Sequence, residues 1–80
     1  MMENQIFGTI DIRLGEMIKA KGLSKNKFAQ LAQMQRTQLN KYINNDVVLL
    51  NVDVLARICT VLECDINDVL IFVKPVKKER

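Results

Sequence analysis

The stretch LSKNKFAQLAQMQRTQLNKYINN, residues 23–45, holds two short helical periods and not one acid, in a chain with nine Asp and Glu. Phe28, Leu31 and Ala32 recur at i, i+3, i+4, and so do Leu39, Tyr42 and Ile43, so each half is predicted to bury one stripe of a helix. Ser24 offers a capping hydroxyl, with Leu23 before it and Phe28 at the fourth helical position, a hydrophobic staple that starts helix two near Lys25. At most QMQ, residues 33–35, separates the two periods. That gap turns the axes sharply and does not fold them back as an antiparallel pair, which is helix-turn-helix geometry. Ala29 supplies the small side chain that two helices crossing close to a short turn require.

Working outward, the same staple recurs at Met34 to Leu39, Leu50 to Leu55 and Cys64 to Val69, so four helix starts follow a first helix. That first helix is predicted from Ile10, Leu14, Met17 and Ile18, with Asp11 as N-cap and Gly22 as its left-handed stop. Helix four should bury Leu55, Ile58, Cys59 and Leu62, and a fifth helix of about one turn is expected near Ile66 to Leu70. The segment IFVKPV after it reads as extended, since β-branched residues precede a proline that cannot continue a helix. Pairing is expected with Ile6 to Thr9, giving a short terminal strand pair. The fold class is therefore all-α, with five helices: residues 1–9 an N-terminal extension, 10–73 the helical domain, 74–80 a basic C-terminal tail.

Eighty residues suffice for one hydrophobic core, and 49% apolar content with three Gly and one Pro favours helices. The longest apolar runs, VVLL at 47–50 and VLIFV at 69–73, fall far short of the roughly 18 residues of a membrane span. With no signal-peptide pattern at the N-terminus, the expected location is cytoplasmic, on the nucleoid. Cys59 and Cys64 stand five apart with no histidine anywhere, which matches neither a zinc-ligand spacing nor a redox CxxC pair. They are expected to be reduced and to serve as small apolar side chains. Without His, paired acids or a Gly-rich phosphate loop, neither an enzyme nor a cofactor or metal site is expected.

The net charge of +3 conceals a segregation. From Met17 to Asn45 every charge is positive: Lys19, Lys21, Lys25, Lys27, Arg36 and Lys41. From Asp46 to Val73 five acids face Arg57 alone, and KPVKKER is basic again. Such a surface presents one electropositive region to an anionic partner. If Leu39, Tyr42 and Ile43 point inward, helix three shows Thr37, Asn40, Lys41 and Asn44 outward, flanked by Arg36 and Gln38. These are the groups that base edges select: Arg for guanine O6 and N7, Gln and Asn for adenine N6 and N7, Thr for the thymine methyl. Carboxylates would be repelled by the flanking phosphates, which accounts for their exclusion.

These residues resemble the Cro and phage-repressor type of helix-turn-helix transcriptional regulator, also called xenobiotic-response-element type, over about Ile12 to Val73. The likeness runs through IRLGEMIKAKGLSKNKFAQLA, MQRTQLNKYINN and LNVDVLARICTVLECDINDVLIF. The last is similar to small stand-alone members through Leu55, Ile58, Cys59, Leu62, Cys64, Asp68, Val69 and Leu70. The resemblance implies a compact lambda-repressor-like fold and a transcriptional regulator, expected to be a repressor, that binds double-stranded DNA. Because one short helix contacts too few base pairs for specificity, a homodimer on paired half-sites is expected, and no small-molecule effector is evident. On individual residues the resemblance implies base reading by Arg36, Thr37 and Lys41, assisted by Gln38 and Asn40, and phosphate contacts from Lys25, Gln35 and Asn44. The alternative is a helix-turn-helix protein-interaction module, such as an antitoxin or a partner of a larger regulator. Three departures from the family pattern stand out: Gln33 at the turn position usually held by glycine, Gln35 at the cap usually held by Ser or Thr, and the apolar loop VVLL. Val47, Val48 and Leu49 are expected either to cover the core or to contact a second subunit.

Overall fold

The computed structural model describes residues 6–76, which form β1 (Thr9–Ile12), α1 (Leu14–Ala20), α2 (Lys25–Ala32), α3 (Arg36–Ile43), α4 (Val52–Leu62), α5 (Ile66–Val69) and β2 (Leu70–Val73). The first five residues of the expected N-terminal extension and the last four of the basic tail lie outside that range. Five helices enclose one core, in which Leu14, Phe28, Leu39, Val54, Ile58, Leu62 and Val69 are the largest fully buried side chains. Every helix therefore contributes at least one anchor.

The helices begin and end by local chemistry. Ser24 Oγ accepts from the Lys27 N–H at 3.0 Å and Asn51 Oδ1 from the Asp53 N–H at 2.8 Å, so α2 and α4 are capped by their own side chains. At α5, Asp68 Oδ2 accepts from the Asp65 N–H at 3.0 Å. Helices α1 to α4 all leave through the same turn. A residue with positive φ (Gly22, Gln33, Asn45, Glu63) follows each, and the next N–H reaches back five residues to a carbonyl: Leu23 to Ile18, Met34 to Ala29, Asp46 to Lys41, Cys64 to Cys59. This is the Schellman ending, which satisfies carbonyls that the helix cannot. Only one of the four left-handed positions is glycine.

The N-terminal region differs from the sequence expectation. Helix one does not start at Ile10 with Asp11 as its cap; residues 9–12 form β1, and α1 begins at Leu14 after Arg13, whose side chain makes no cap bond. The terminal strand pair exists, but its partner segment is Thr9–Ile12 and not Ile6 to Thr9, in the register Thr9 with Val73 through Ile12 with Leu70, antiparallel. Burial rises along TIDI from exposed Thr9 and Ile10 through half-buried Asp11 to buried Ile12, so the strand enters the core only at its end next to α1. The Arg13 N–H then bonds the Val69 carbonyl at 2.7 Å, which locks the chain as it enters α1.

The stripes are also placed more finely. Leu31 is 48% exposed and Ala29 is buried beside Phe28 and Ala32, so the inner face of α2 lies on the Ala29 side. In α4 the stripe is Val54, Ile58 and Leu62, with Leu55 and Cys59 half-buried at its margin. Ile43 is likewise half-buried, because Gly15 of α1 approaches it so closely that a Cβ on Gly15 would lie 3.1 Å from Ile43 Cγ2. Both cysteines are free and half-buried.

Candidate nucleic-acid interface

What fixes α3 relative to the rest is a set of contacts at its two ends. At its start, the turn from α2 is closed by Gln33 at φ 55 and ψ 47, the left-handed conformation expected at the glycine-like position. Arg57 of α4, the one cation in its stretch of acids, donates from Nε to the Ala32 carbonyl at 2.8 Å. A cation is thereby placed at the electronegative end of α2, whose own last turn holds no basic residue. At the other end, Asn45 Oδ1 accepts from the Ile12 N–H at 2.6 Å, while its Nδ2 donates to the Ile12 carbonyl at 3.3 Å and to Asp11 Oδ1 at 3.1 Å. The end of α3 is thus bound to the edge of β1. Buried Tyr42 adds a third tie, its hydroxyl oxygen accepting from the Asn51 N–H at 3.4 Å at the start of α4.

With Leu39 and Tyr42 turned inward, Thr37, Lys41 and Asn44 stand on the outer side of α3, all exposed. Arg36 is exposed on the side toward α2, and its Nη1 donates to Asn26 Oδ1. Gln38 and Asn40 are half-buried on the flanks; Lys25 and Gln35 are exposed at the starts of α2 and α3. All eight residues singled out from sequence therefore lie outside the core, along one helix and the starts of the two helices at the turn. Lys25, Lys27, Arg36 and Lys41 make no ion pair with a described acid, whereas Lys21 pairs with Glu63 at 3.6 Å and Arg13 with Glu16.

The helix starts carry a further electrostatic signature. Acids belong in the first turn of a helix, where each contributes about 0.3–1 kcal/mol at an exposed site. Glu16, Asp53 and Asp68 occupy that position in α1, α4 and α5. Helices α2 and α3 have none. Moreover Gln35, as the cap of α3, makes no side-chain bond to the first-turn amides, so those N–H groups keep their capacity for an anion. Beside α3 a groove opens between Thr37, Gln38 and Lys41 and the loop from Asp46 to Leu49. In that loop Val47 packs on the core, but Val48 and Leu49 are 93% and 87% exposed, followed by Val52 at 77%.

Sequence reasoning missed three residues here: Asn26, Asn45 and Arg57. An asparagine just past a helix end is a known left-handed signal and could have marked Asn45. Arg57 was visible as the odd cation among acids, without a partner to assign. Nothing local marks Asn26, whose partner lies ten residues away across the turn.

Residues 13–75 match the family described as Cro/C1-type HTH DNA-binding domain. No curated protein matches the chain. Among solved structures, the complex of SinR protein with SinI protein is similar at a TM-score of 0.65 and 21% identity, over 70% of this chain and 54% of that one. A transcriptional regulator from Listeria innocua is similar at 0.62 and 21% identity, over 84% of this chain and 62% of that one. The chain thus spans less than two thirds of either structure, and at these identities the likeness concerns the fold. No helix among the described residues is long and apolar enough to cross a membrane.

Proposed function

The chain belongs to the Cro/C1-type helix-turn-helix family of DNA-binding domains, and from that premise we propose that it binds double-stranded DNA sequence-specifically by laying α3 in the major groove. Arg36, Thr37 and Lys41 read base edges, Gln38 and Asn40 assist from the flanks, and Lys25, Gln35 and Asn44 hold phosphates. The observation that carries this reading is the pair of acid-free helix starts around an acid-free outer face. Stability is forgone there at the two helices that would meet phosphates and at no other described helix. An open N-terminus and exposed lysines suit a polyanion, and an arginine at the first position of the helix suits a guanine edge.

One helix of eight residues reaches few base pairs, so the protein acts as a homodimer on half-sites one helical turn apart. It serves as a transcriptional repressor in the cytoplasm by occupying the duplex. Selection of bound sequences from a random duplex pool tests both specificity and symmetry, since a dimer selects a palindrome. Affinity for the selected duplex should fall with salt at a logarithmic slope of about −0.9 per phosphate neutralised, and Arg36→Ala should lose preference at one base pair of each half-site. Salt-insensitive binding, or a pool without a consensus, would end this reading.

A second reading is favoured by one observation, the exposure of Val48, Leu49 and Val52 beside the groove: the same surface as a docking site for a protein. The similar SinR structure is a complex with SinI protein, and the likeness covers 54% of that chain. Val48→Asp distinguishes the two. If it abolishes dimerisation and weakens duplex binding together, the apolar loop serves the DNA-binding homodimer; if duplex binding is absent from the outset and a foreign protein is retained only by the wild type, the second reading holds.

A further inference from the structure

Asn26 lies one residue into α2 and is exposed, and its Oδ1 accepts a hydrogen bond from Nη1 of Arg36 at the start of α3. The bond spans the turn between the two helices. Neither residue needs it for folding, since both side chains are in solvent and α2 already has Ser24 as its cap. Its effect is on the guanidinium. That group is a rigid planar fork, so fixing one of its nitrogens restricts the plane in which the remaining N–H groups can point. A free arginine side chain samples many rotamers and loses that freedom on docking; one held beforehand loses less.

We infer that Asn26 is a positioning residue for base recognition, holding the Arg36 guanidinium in the orientation from which its unused N–H groups address a paired acceptor edge, that of guanine. The inference rests on the proposed reading of Arg36 as a base-contacting residue and adds the group that orients it. Because Asn26 is neutral, its contribution falls on discrimination and not on general attraction to phosphates.

The experiment is a double-mutant cycle on the full chain with duplexes of the consensus selected from a random pool, each base pair replaced in turn, and a random-sequence duplex for comparison. Arg36→Ala identifies the base pair that Arg36 reads. At that pair, Asn26→Ala should reduce the preference about three- to tenfold, the amount that freeing one long side chain is worth. Affinity for random duplex and the salt slope should stay unchanged, and in the Arg36→Ala background Asn26→Ala should cost nothing further. Asn26→Asp, which keeps an acceptor for Nη1, should retain the preference while lowering affinity for every duplex, since it sets a carboxylate near phosphates. A loss from Asn26→Ala that persists in the Arg36→Ala background, or one spread evenly over all base pairs and random duplex, overturns the inference. If Arg36→Ala alters preference at no base pair, the base-reading role of Arg36 fails first and the positioning role with it. That outcome is separate from one in which Arg36 discriminates and Asn26 is indifferent.

Discussion

Replacing Asn45 separates two reasons for its being asparagine. It holds a left-handed backbone at φ 61, and its side chain clamps the N–H and C=O of Ile12. Asn45→Gly keeps the backbone and removes the clamp. The Ile12 N–H, on a residue only 5% exposed, then loses its acceptor, a loss worth about 1–3 kcal/mol for a buried donor. The bond is only partly buried, so the lower half of that range is expected, about 1–2 kcal/mol. Asn45→Ala also removes the clamp and, unlike Gly, keeps a Cβ in the left-handed region without the short polar side chain that eases asparagine there, so it should fall about 1–2 kcal/mol below the Gly variant. Relative to wild type, which already holds a Cβ there, the Ala loss is the clamp plus the strain that asparagine escapes, about 1–3 kcal/mol, a sizeable part of the roughly 4–12 kcal/mol available to a chain of this length. Urea and thermal melts followed by circular dichroism read both variants, at about 4–8 °C per kcal/mol for a domain of this size. The order wild type, then Gly, then Ala is expected. A Gly variant as stable as wild type would show that the clamp contributes nothing, and equal Gly and Ala variants would show that the backbone at residue 45 is not held left-handed.

Gln33→Gly should stabilise the protein by up to about 1 kcal/mol, because relief of the left-handed strain exceeds the extra freedom of glycine in the unfolded chain, and a thermal melt shows it as a rise of a few degrees. Arg57→Met should cost about 1–3 kcal/mol by removing a charged donor from the Ala32 carbonyl, whereas Arg57→Lys should recover part of that loss; equal melts for all three proteins would refute the tie. Burial pushes the Cys64 thiol up, and Cys59, then Asp68 and Asp65, act in the same direction. Alkylation at neutral pH should accordingly be slower at Cys64 than for free cysteine and should accelerate only above the ordinary thiol range. By the same shift the folded form favours the neutral thiol, so that contribution to stability is present at neutral pH and is lost as pH rises through the folded-state value.

How much was legible in the sequence depended on whether the cause was local. The starts of α2 and α3 and the short turn at 33–35 were readable, because each is decided within a few residues, whereas the left-handed Gln33 was expected only from the resemblance, at a position usually held by glycine. The start of α1 was not. Ile10 and Leu14 are four apart and suit a helical stripe, and only the pairing with β2, almost sixty residues on, turns residues 9–12 into a strand. Leu31 shares the period of Phe28 and Ala32, and packing, which the sequence does not display, leaves it half outside, while Ala29, read from the short turn as the close-approach residue, is buried. For the candidate site, the outward residues of α3 followed from its period, but their supports did not. Asn26, Asn45 and Arg57 act across ten, thirty-three and twenty-five residues of chain.

The missing acids at the starts of α2 and α3 bear on how the protein would respond to improvement. Directed evolution that rewards heat resistance in plain buffer would favour Glu or Asp at Asn26, Lys27, Thr37 or Gln38, each adding about 0.3–1 kcal/mol. Under the proposed reading the winners of such a campaign would be sturdier and would hold every duplex more weakly, because each new carboxylate would stand where phosphates are expected to approach.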